Sequence, residues 1–284
     1  MANLINGKVI SSQIRAEISE ETKSFIETNG YAPGLAVIIV GNDPASQVYV
    51  RNKKRGCAEV GFYSEEYELP AETTQSELIE LINKLNCDDK IHGILVQLPL
   101  PKHLDEKEVL LAITPQKDVD AFHPVNVGKI MIGDYDFLPC TPAGVMELIS
   151  RSGIEVAGKN CVVIGRSNIV GKPMAMLLLH ANGTVTVCHS KTKNIKEICK
   201  SADILVASVG KANFVTADMV KEGAVVIDVG INRMPDGKLC GDVNFAKVEP
   251  IASYITPVPG GVGPMTITML LKNTLTAAKL AAKK

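Results

Sequence analysis

The sequence predicts an α/β protein of two domains, and three observations carry that reading. Its 284 residues suffice for roughly two domains of ordinary size. Short apolar, β-branched runs stop at a glycine and lead into a helical pattern, as at Leu35–Val40 before Gly41 and Cys161–Ile164 before Gly165. From Asn160 onward strand and helix patterns alternate at regular intervals, the texture of a parallel sheet with helical crossovers.

Composition narrows the function classes. A formal net charge of −1, with no Lys/Arg run beyond Lys53-Lys54-Arg55, argues against nucleic acid as a partner and favours a small-molecule substrate. The seven cysteines form no CxxC pair and are expected to be reduced thiols of a cytoplasmic protein. The five histidines show no HxH or HExxH spacing, so no metal is expected. The first residues have no apolar signal core and no run approaches a membrane span, so a soluble, unprocessed chain without a membrane partner is expected.

Taken in order, Asn6–Asn29 has apolar residues at near-helical spacing and ends at Asn29-Gly30, a packing helix. Leu35–Val40 is a buried strand. Asp43 then reads as an N-cap and Pro44 as the first residue of a helix that starts at the strand's carboxyl end, the edge where open α/β sheets bind ligands. Tyr49 and Lys53, four apart, share one face of that helix. Lys54 and Arg55 crowd Lys53 with like charge, which favours a neutral amine able to act as a base. The alternative is a solvated basic face with Tyr49 packed against the core.

Phe62–Leu69 reads as a strand and Thr74–Leu85 as a helix with Leu78, Ile79, Leu81, Ile82 and Leu85 inward. His92–Leu98 is a buried strand stopped by prolines, with Gln97 at its carboxyl end. That amide either orients the Lys53 amine or is satisfied by local backbone. Asp105–Ile113 is helical. Asp118 and Asp120 follow in a loop, two apart, where a carboxylate accepts two N–H donors of an amino-pyrimidine type ring or caps the next turn. A helix runs from Cys140 through Ile149.

Cys161–Gly165, the turn Arg166–Pro173 and a helix Met174–His180 form a strand, a glycine-bearing loop and a helix N-terminus. That arrangement binds a pyrophosphate through backbone N–H groups and the helix dipole, and it makes the second domain Rossmann-like. Gly165-x-Ser167 with Gly171 stands in for the full GxGxxG pattern. Past the next strand, Thr184–Cys188, the ribose-reading position holds Ser190 and Lys191 rather than an acid. Together with Arg166 these suit a 2′-phosphate, so NADP is preferred to NAD. Asp203–Gly210 and Ala224–Gly230 add parallel strands, and Ile231 packs either on a nicotinamide or in the core. Pro257–Thr266 reads as a constrained contact loop before a helix from Ile267 to Ala282.

Six blocks follow one another along the chain: Val40–Ser46 running into Tyr49-x-x-x-Lys53, Gly93–Pro101, Lys117–Asp120, Pro139–Pro142, Gly165–Ser167 with Val170-Gly171, and Pro257–Thr266. On these the chain resembles the bifunctional methylenetetrahydrofolate dehydrogenase/cyclohydrolase family along its whole length. The resemblance implies NADP-dependent oxidation of 5,10-methylenetetrahydrofolate and hydrolysis of the methenyl product to 10-formyltetrahydrofolate. It implies a folate-binding catalytic domain over residues 1–139 with residues 267–284 packed back on it, an NADP-binding domain over 140–266, and a cleft between them. Lys53 would be the catalytic lysine, Tyr49 would position the folate, Gln97 would tune Lys53, and Asp120 would hold the pterin. Pro259, Gly260 and Gly261 would contact substrate, and Gly165, Arg166, Ser167, Ser190, Ile231 and Thr266 would bind NADP. A cytoplasmic homodimer without metal is also implied.

Two positions depart from the family pattern: Ala121 stands where glycine is usual, expected to shift the Asp120 backbone, and Arg55 replaces a common lysine. Tyr-x-x-x-Lys also marks short-chain dehydrogenases, but their glycine loop precedes the pair, whereas Gly165 follows it here. A cyclohydrolase with a vestigial nucleotide domain and a non-catalytic binding module are the other rivals, and NADPH formation from the methylene substrate separates both from the bifunctional enzyme.

Overall fold

Every residue of the strand Gly34–Val40 is buried, as its unbroken apolar sequence demands, because a parallel strand in the middle of a sheet has both faces covered. The computed structural model describes residues 1–42 and 44–283, and of residues 44–49 the backbone alone. Asp43, read above as a helix cap, therefore lies outside the described residues, as does the Tyr49 side chain. In chain order the elements are β1 (Asn3–Leu4), α1 (Gly7–Asn29), β2 (Gly34–Val40), α2 (Pro44–Val60), β3 (Tyr63–Leu69), α3 (Gln75–Asn86), β4 (Gly93–Val96), α4 (Glu106–Ala112) and α5 (Pro124–Ile132). They continue with α6 (Cys140–Arg151), β5 (Asn160–Ile164), α7 (Gly171–His180), β6 (Thr184–Cys188), α8 (Ile195–Lys200), β7 (Ile204–Ala207) and β8 (Val225–Asp228). The last are β9 (Asn232–Arg233), β10 (Leu239–Cys240), α9 (Phe245–Val248), β11 (Tyr254–Ile255) and α10 (Val262–Ala281).

The chain divides into two units, one of Met1–Ser12 with Thr141–Thr266, the other of Gln13–Cys140 with the chain from Ile267 onward. The divisions thus fall inside α1, α6 and α10. In the second of these units β3, β2 and β4 form a parallel sheet in that order, with Leu78, Ile82 and Leu85 of α3 and Val109 of α4 in its core. Thr74 and Glu77 make a reciprocal capping box at the start of α3, and Asp105 caps α4. Helix α5 was not anticipated. Its signals are a capping His123 and Pro124 at the first position.

The other unit is a parallel sheet in the order β1, β11, β8, β7, β5, β6. Strand β5, first of the nucleotide-type run, has β6 on one side and β7 on the other, which makes its carboxyl end the topological switch point. Residues 1–12 are expected from the sequence in the first domain. Here Asn3 and Leu4 pair with Tyr254 and Ile255 and extend this sheet, in a strand too short for any periodicity to reveal.

Two helix starts also differ from expectation. Helix α7 begins at Gly171 rather than Met174, because Ser167 Oγ accepts the Val170 and Gly171 N–H groups and Pro173 sits in a first turn that needs no donor. Helix α10 begins at Val262 rather than Ile267, so half of the expected contact loop, Thr266 included, is helical.

Candidate active site

Lys53 lies ten residues into α2 and is only 7% exposed. Its Nζ donates to Gln97 Oε1 at 2.8 Å, from just past the carboxyl end of β4. Gln97 Nε2 in turn donates to the Leu98 carbonyl at 2.7 Å, so the backbone decides which end of the amide faces the lysine. Burial pushes the Lys53 amine below the usual lysine range, against the opposing pull of Asp120 and the neighbouring thiols. The crowding expected from Lys54 and Arg55 is not the cause. Both are exposed, and Lys54 pairs with Glu66 at 3.2 Å, so the proton is disfavoured by desolvation rather than by like charge.

The loop before α5 separates its two acids into different tasks. Asp118 is buried and structural: it accepts the Phe122 and His123 N–H groups and the Asn126 amide at 2.8 to 3.2 Å. Asp120 is partly exposed and accepts the Cys140 thiol at 3.4 Å, while burial raises its carboxyl and Lys53 lowers it. Asn273 of α10 anchors the same loop by donating to the Val119 and Leu138 carbonyls at 2.7 and 2.8 Å. Ala121 holds φ +58, in the left-handed region that glycine tolerates best, so the turn after Asp120 carries strain at this residue. Lys53, Gln97, Asp120 and Cys140 are thus one cluster, in which a lysine tending to neutrality faces an acid. Cys140 was seen only as a helix start, and the thiol's partner could not be read from spacing.

In the sheet unit the predicted nucleotide residues gather at the carboxyl ends of β5 and β6. Gly165 N–H donates to the Cys188 carbonyl at 2.9 Å, which places Arg166 and Ser190 at matching positions beyond neighbouring strands. Both are exposed, and among the described residues the Arg166 guanidinium makes no hydrogen bond or ion pair. Gly165 has φ +130, a Cβ on it would lie 2.4 Å from the Ser208 carbonyl oxygen, and a Cβ on Gly171 would lie 2.3 Å from that of Gly165. Loop and helix start therefore meet backbone to backbone, in the strand, glycine loop and helix arrangement that receives a phosphate, with the Val170 and Gly171 N–H groups held by Ser167 Oγ. These residues fit a dinucleotide phosphate.

Ile231, beyond β8, is 47% exposed, with its Cδ1 3.6 Å from where a Gly263 Cβ would stand. Thr266 Oγ1 hydrogen-bonds Thr141 Oγ1 at 3.1 Å. Pro259 is exposed, whereas Gly260 and Gly261 are buried, and a Cβ on Gly7 would lie 1.8 Å from the Gly261 oxygen. Among the described residues no group of three or more His, Cys, Asp and Glu could hold a metal, and the cysteines are free thiols.

Two family models match the chain: the catalytic domain of tetrahydrofolate dehydrogenase/cyclohydrolase over residues 5–120, and the NAD(P)-binding domain of the same description over residues 139–282. The Bifunctional protein FolD of Acetivibrio thermocellus is 67% identical over 282 residues, covering 99% of each chain. Its namesake from Moorella thermoacetica is 60% identical over 278 residues, covering 98% of this chain and 99% of that one. Among solved structures, the FolD methylenetetrahydrofolate dehydrogenase/cyclohydrolase from Campylobacter jejuni matches with a TM-score of 0.96 at 51% identity over 99% of both chains. The Trypanosoma brucei N5,N10-methylenetetrahydrofolate dehydrogenase-cyclohydrolase, complexed with NADP cofactor and inhibitor, matches with a TM-score of 0.95 at 43% identity, over 100% of this chain and 99% of that one.

Proposed function

The chain belongs to the tetrahydrofolate dehydrogenase/cyclohydrolase family, and on that premise we propose how its residues divide the two reactions. The protein is a bifunctional folate enzyme of one-carbon metabolism. It oxidises 5,10-methylenetetrahydrofolate with NADP and hydrolyses the 5,10-methenyl product to 10-formyltetrahydrofolate.

The observation that carries the residue assignment is the buried Lys53 amine held by Gln97 beside Asp120. In the hydrolytic half a water attacks the methenyl carbon and must lose a proton as the C–O bond forms. Lys53, whose charge burial disfavours, takes that proton. Gln97 accepts one lysine N–H and so aims the remaining valences of the amine. When the bond from that carbon to N5 breaks, the Lys53 ammonium returns a proton to N5, the adduct hydroxyl loses its own proton to solvent as the C=O forms, and the formyl group stays on N10. Asp120 accepts N–H donors of the pterin ring, and Tyr49, four residues before Lys53 on α2, is assigned to the folate on the family resemblance. Pro259, Gly260 and Gly261 complete the folate side.

NADP, when bound, supplies the hydride acceptor for the oxidative half. Gly165, Ser167 and the start of α7 would hold its pyrophosphate, Arg166 and Ser190 its 2′-phosphate, and Ile231 and Thr266 the nicotinamide half. The catalytic unit on this reading is residues 13–140 with the chain from Ile267, and the nucleotide unit is residues 141–266 with the N-terminal strand. A cytoplasmic homodimer is proposed from the family resemblance, and sedimentation equilibrium tests the dimer. Among the described residues no helix is long and apolar enough to cross a membrane. Assaying Lys53 and Arg166 variants for both activities tests the division of labour, since each variant should strike one half.

A further inference from the structure

The nucleotide unit contains a buried acid that neither reaction uses. Asp242 is 0% exposed, and among the described residues no cation pairs with it. Its carboxylate is surrounded by N–H groups instead. Oδ2 accepts from Val209 N at 2.6 Å and Gly210 N at 2.9 Å, and Oδ1 accepts from Lys211 N at 2.8 Å and Asn232 Nδ2 at 3.0 Å. Residues 209–211 follow β7, and Asn232 directly follows Ile231 beyond β8, so one anion ties two loops at the carboxyl edge of neighbouring strands.

A second carboxylate fixes the backbone of the first. Asp228, the last residue of β8, accepts the N–H groups of Gly230, Asp242 and Val243 at 2.9 to 3.0 Å. The fit leaves no slack: a Cβ on Gly230 would lie 2.2 Å from Asp242 Oδ1, and one on Gly241 1.8 Å from Asp228 Oδ2. Burial raises the Asp228 carboxyl to about 6, so at neutral pH the fold holds an anion that costs stability, as expected of a group retained for its acceptors.

We propose that Asp242 is a positioning residue for the cofactor, its carboxylate holding the loops that carry Gly210 and Ile231 in the arrangement that receives the dinucleotide. The proposal rests on the assignment of Ile231 and Arg166 to the cofactor. A carboxylate suits this place, because four N–H donors need four acceptor sites, and an amide would turn its NH2 toward two of them. Gly210, at φ +65, has no atom of the described residues within 4 Å of where a Cβ would stand, so that side of the loop is open.

The test is Asp242→Asn in the full chain, read by NADPH fluorescence titration, by hydrogen exchange of the amides of residues 209–211 without nucleotide, and by hydrolysis of methenyltetrahydrofolate. The nucleotide Kd should rise about tenfold or more and those amides should exchange faster, while hydrolysis stays within about twofold. Asn232→Ala removes one donor only and should weaken nucleotide binding about threefold to tenfold. A folded Asp242→Asn protein with unchanged Kd overturns the proposal. If that variant does not fold, an unchanged Kd in Asn232→Ala overturns it. Should Arg166→Ala and Ile231→Ala both leave Kd unchanged, the underlying cofactor assignment fails, whereas an effect in those two without one at Asp242 and Asn232 removes the present proposal alone.

Discussion

Lys53 Nζ and Gln97 Oε1 are 2.8 Å apart, and because the Leu98 carbonyl engages the other end of the amide, the lysine meets an acceptor and never a donor. Gln97→Glu would put a carboxylate at that distance and raise the proton affinity of the amine. Cyclohydrolase activity should then fall about a hundredfold near neutral pH and its acid limb move to higher pH, whereas Gln97→Ala, which frees the amine without charging its neighbour, should cost about tenfold. The pH–rate profile of methenyltetrahydrofolate hydrolysis checks both.

Asp120 acts on the same amine in the opposite sense to burial, since its charge raises the Lys53 proton affinity. Removing that charge in Asp120→Asn should lower the affinity further, so the acid limb of the hydrolysis profile moves to lower pH. The folate KM should rise by about tenfold as one pterin acceptor is lost. A limb that stays in place would separate Asp120 from Lys53.

Ala121 occupies φ +58. At ordinary φ an Ala→Gly change costs about 0.5–1 kcal/mol, but in the left-handed region a Cβ itself costs about 1–2 kcal/mol. Ala121→Gly should therefore leave the thermal midpoint unchanged or slightly higher, with the folate KM within about twofold, because the turn already has the glycine geometry. A drop of several degrees would show that the backbone there is unstrained.

Arg166 and Ser190, exposed at matching positions beyond β5 and β6, are assigned to the 2′-phosphate. Arg166→Ala should raise the KM for NADP by about tenfold to a hundredfold, change that for NAD little, and leave hydrolysis intact. Initial-rate assays with the two nucleotides in parallel decide it.

The parts of the fold that were legible in the sequence are those with a local cause. β2 and β5 are apolar runs because central parallel strands face no water, β4 is an apolar run buried at the edge of its sheet, and α3 carries its cap in Thr74 and Glu77. The Gly165 to Gly171 cradle was legible because strand, glycine and helix start follow one another in sequence. The misses share a different origin. β1 is two residues long and is defined only by its partner β11. The start of α10 hid behind Gly263 and Pro264, residues that read as breakers yet sit in a first turn without strain. Lys53 was found by spacing, but the reason its charge is disfavoured lay in which face of α2 packs inward. Asp242 carried no signal at all, as its backbone partners lie 31 to 33 residues upstream.

The central claim is that the buried Lys53 amine moves the protons of hydrolysis while the nucleotide unit serves oxidation. Lys53→Met keeps the length and suits the burial, so the protein should remain folded, with a thermal midpoint no lower than that of the parent. In one preparation of that variant, methenyltetrahydrofolate hydrolysis should fall by about a thousandfold or more while the Kd for NADPH stays unchanged. Hydrolysis at the parent rate in the folded variant would contradict the account.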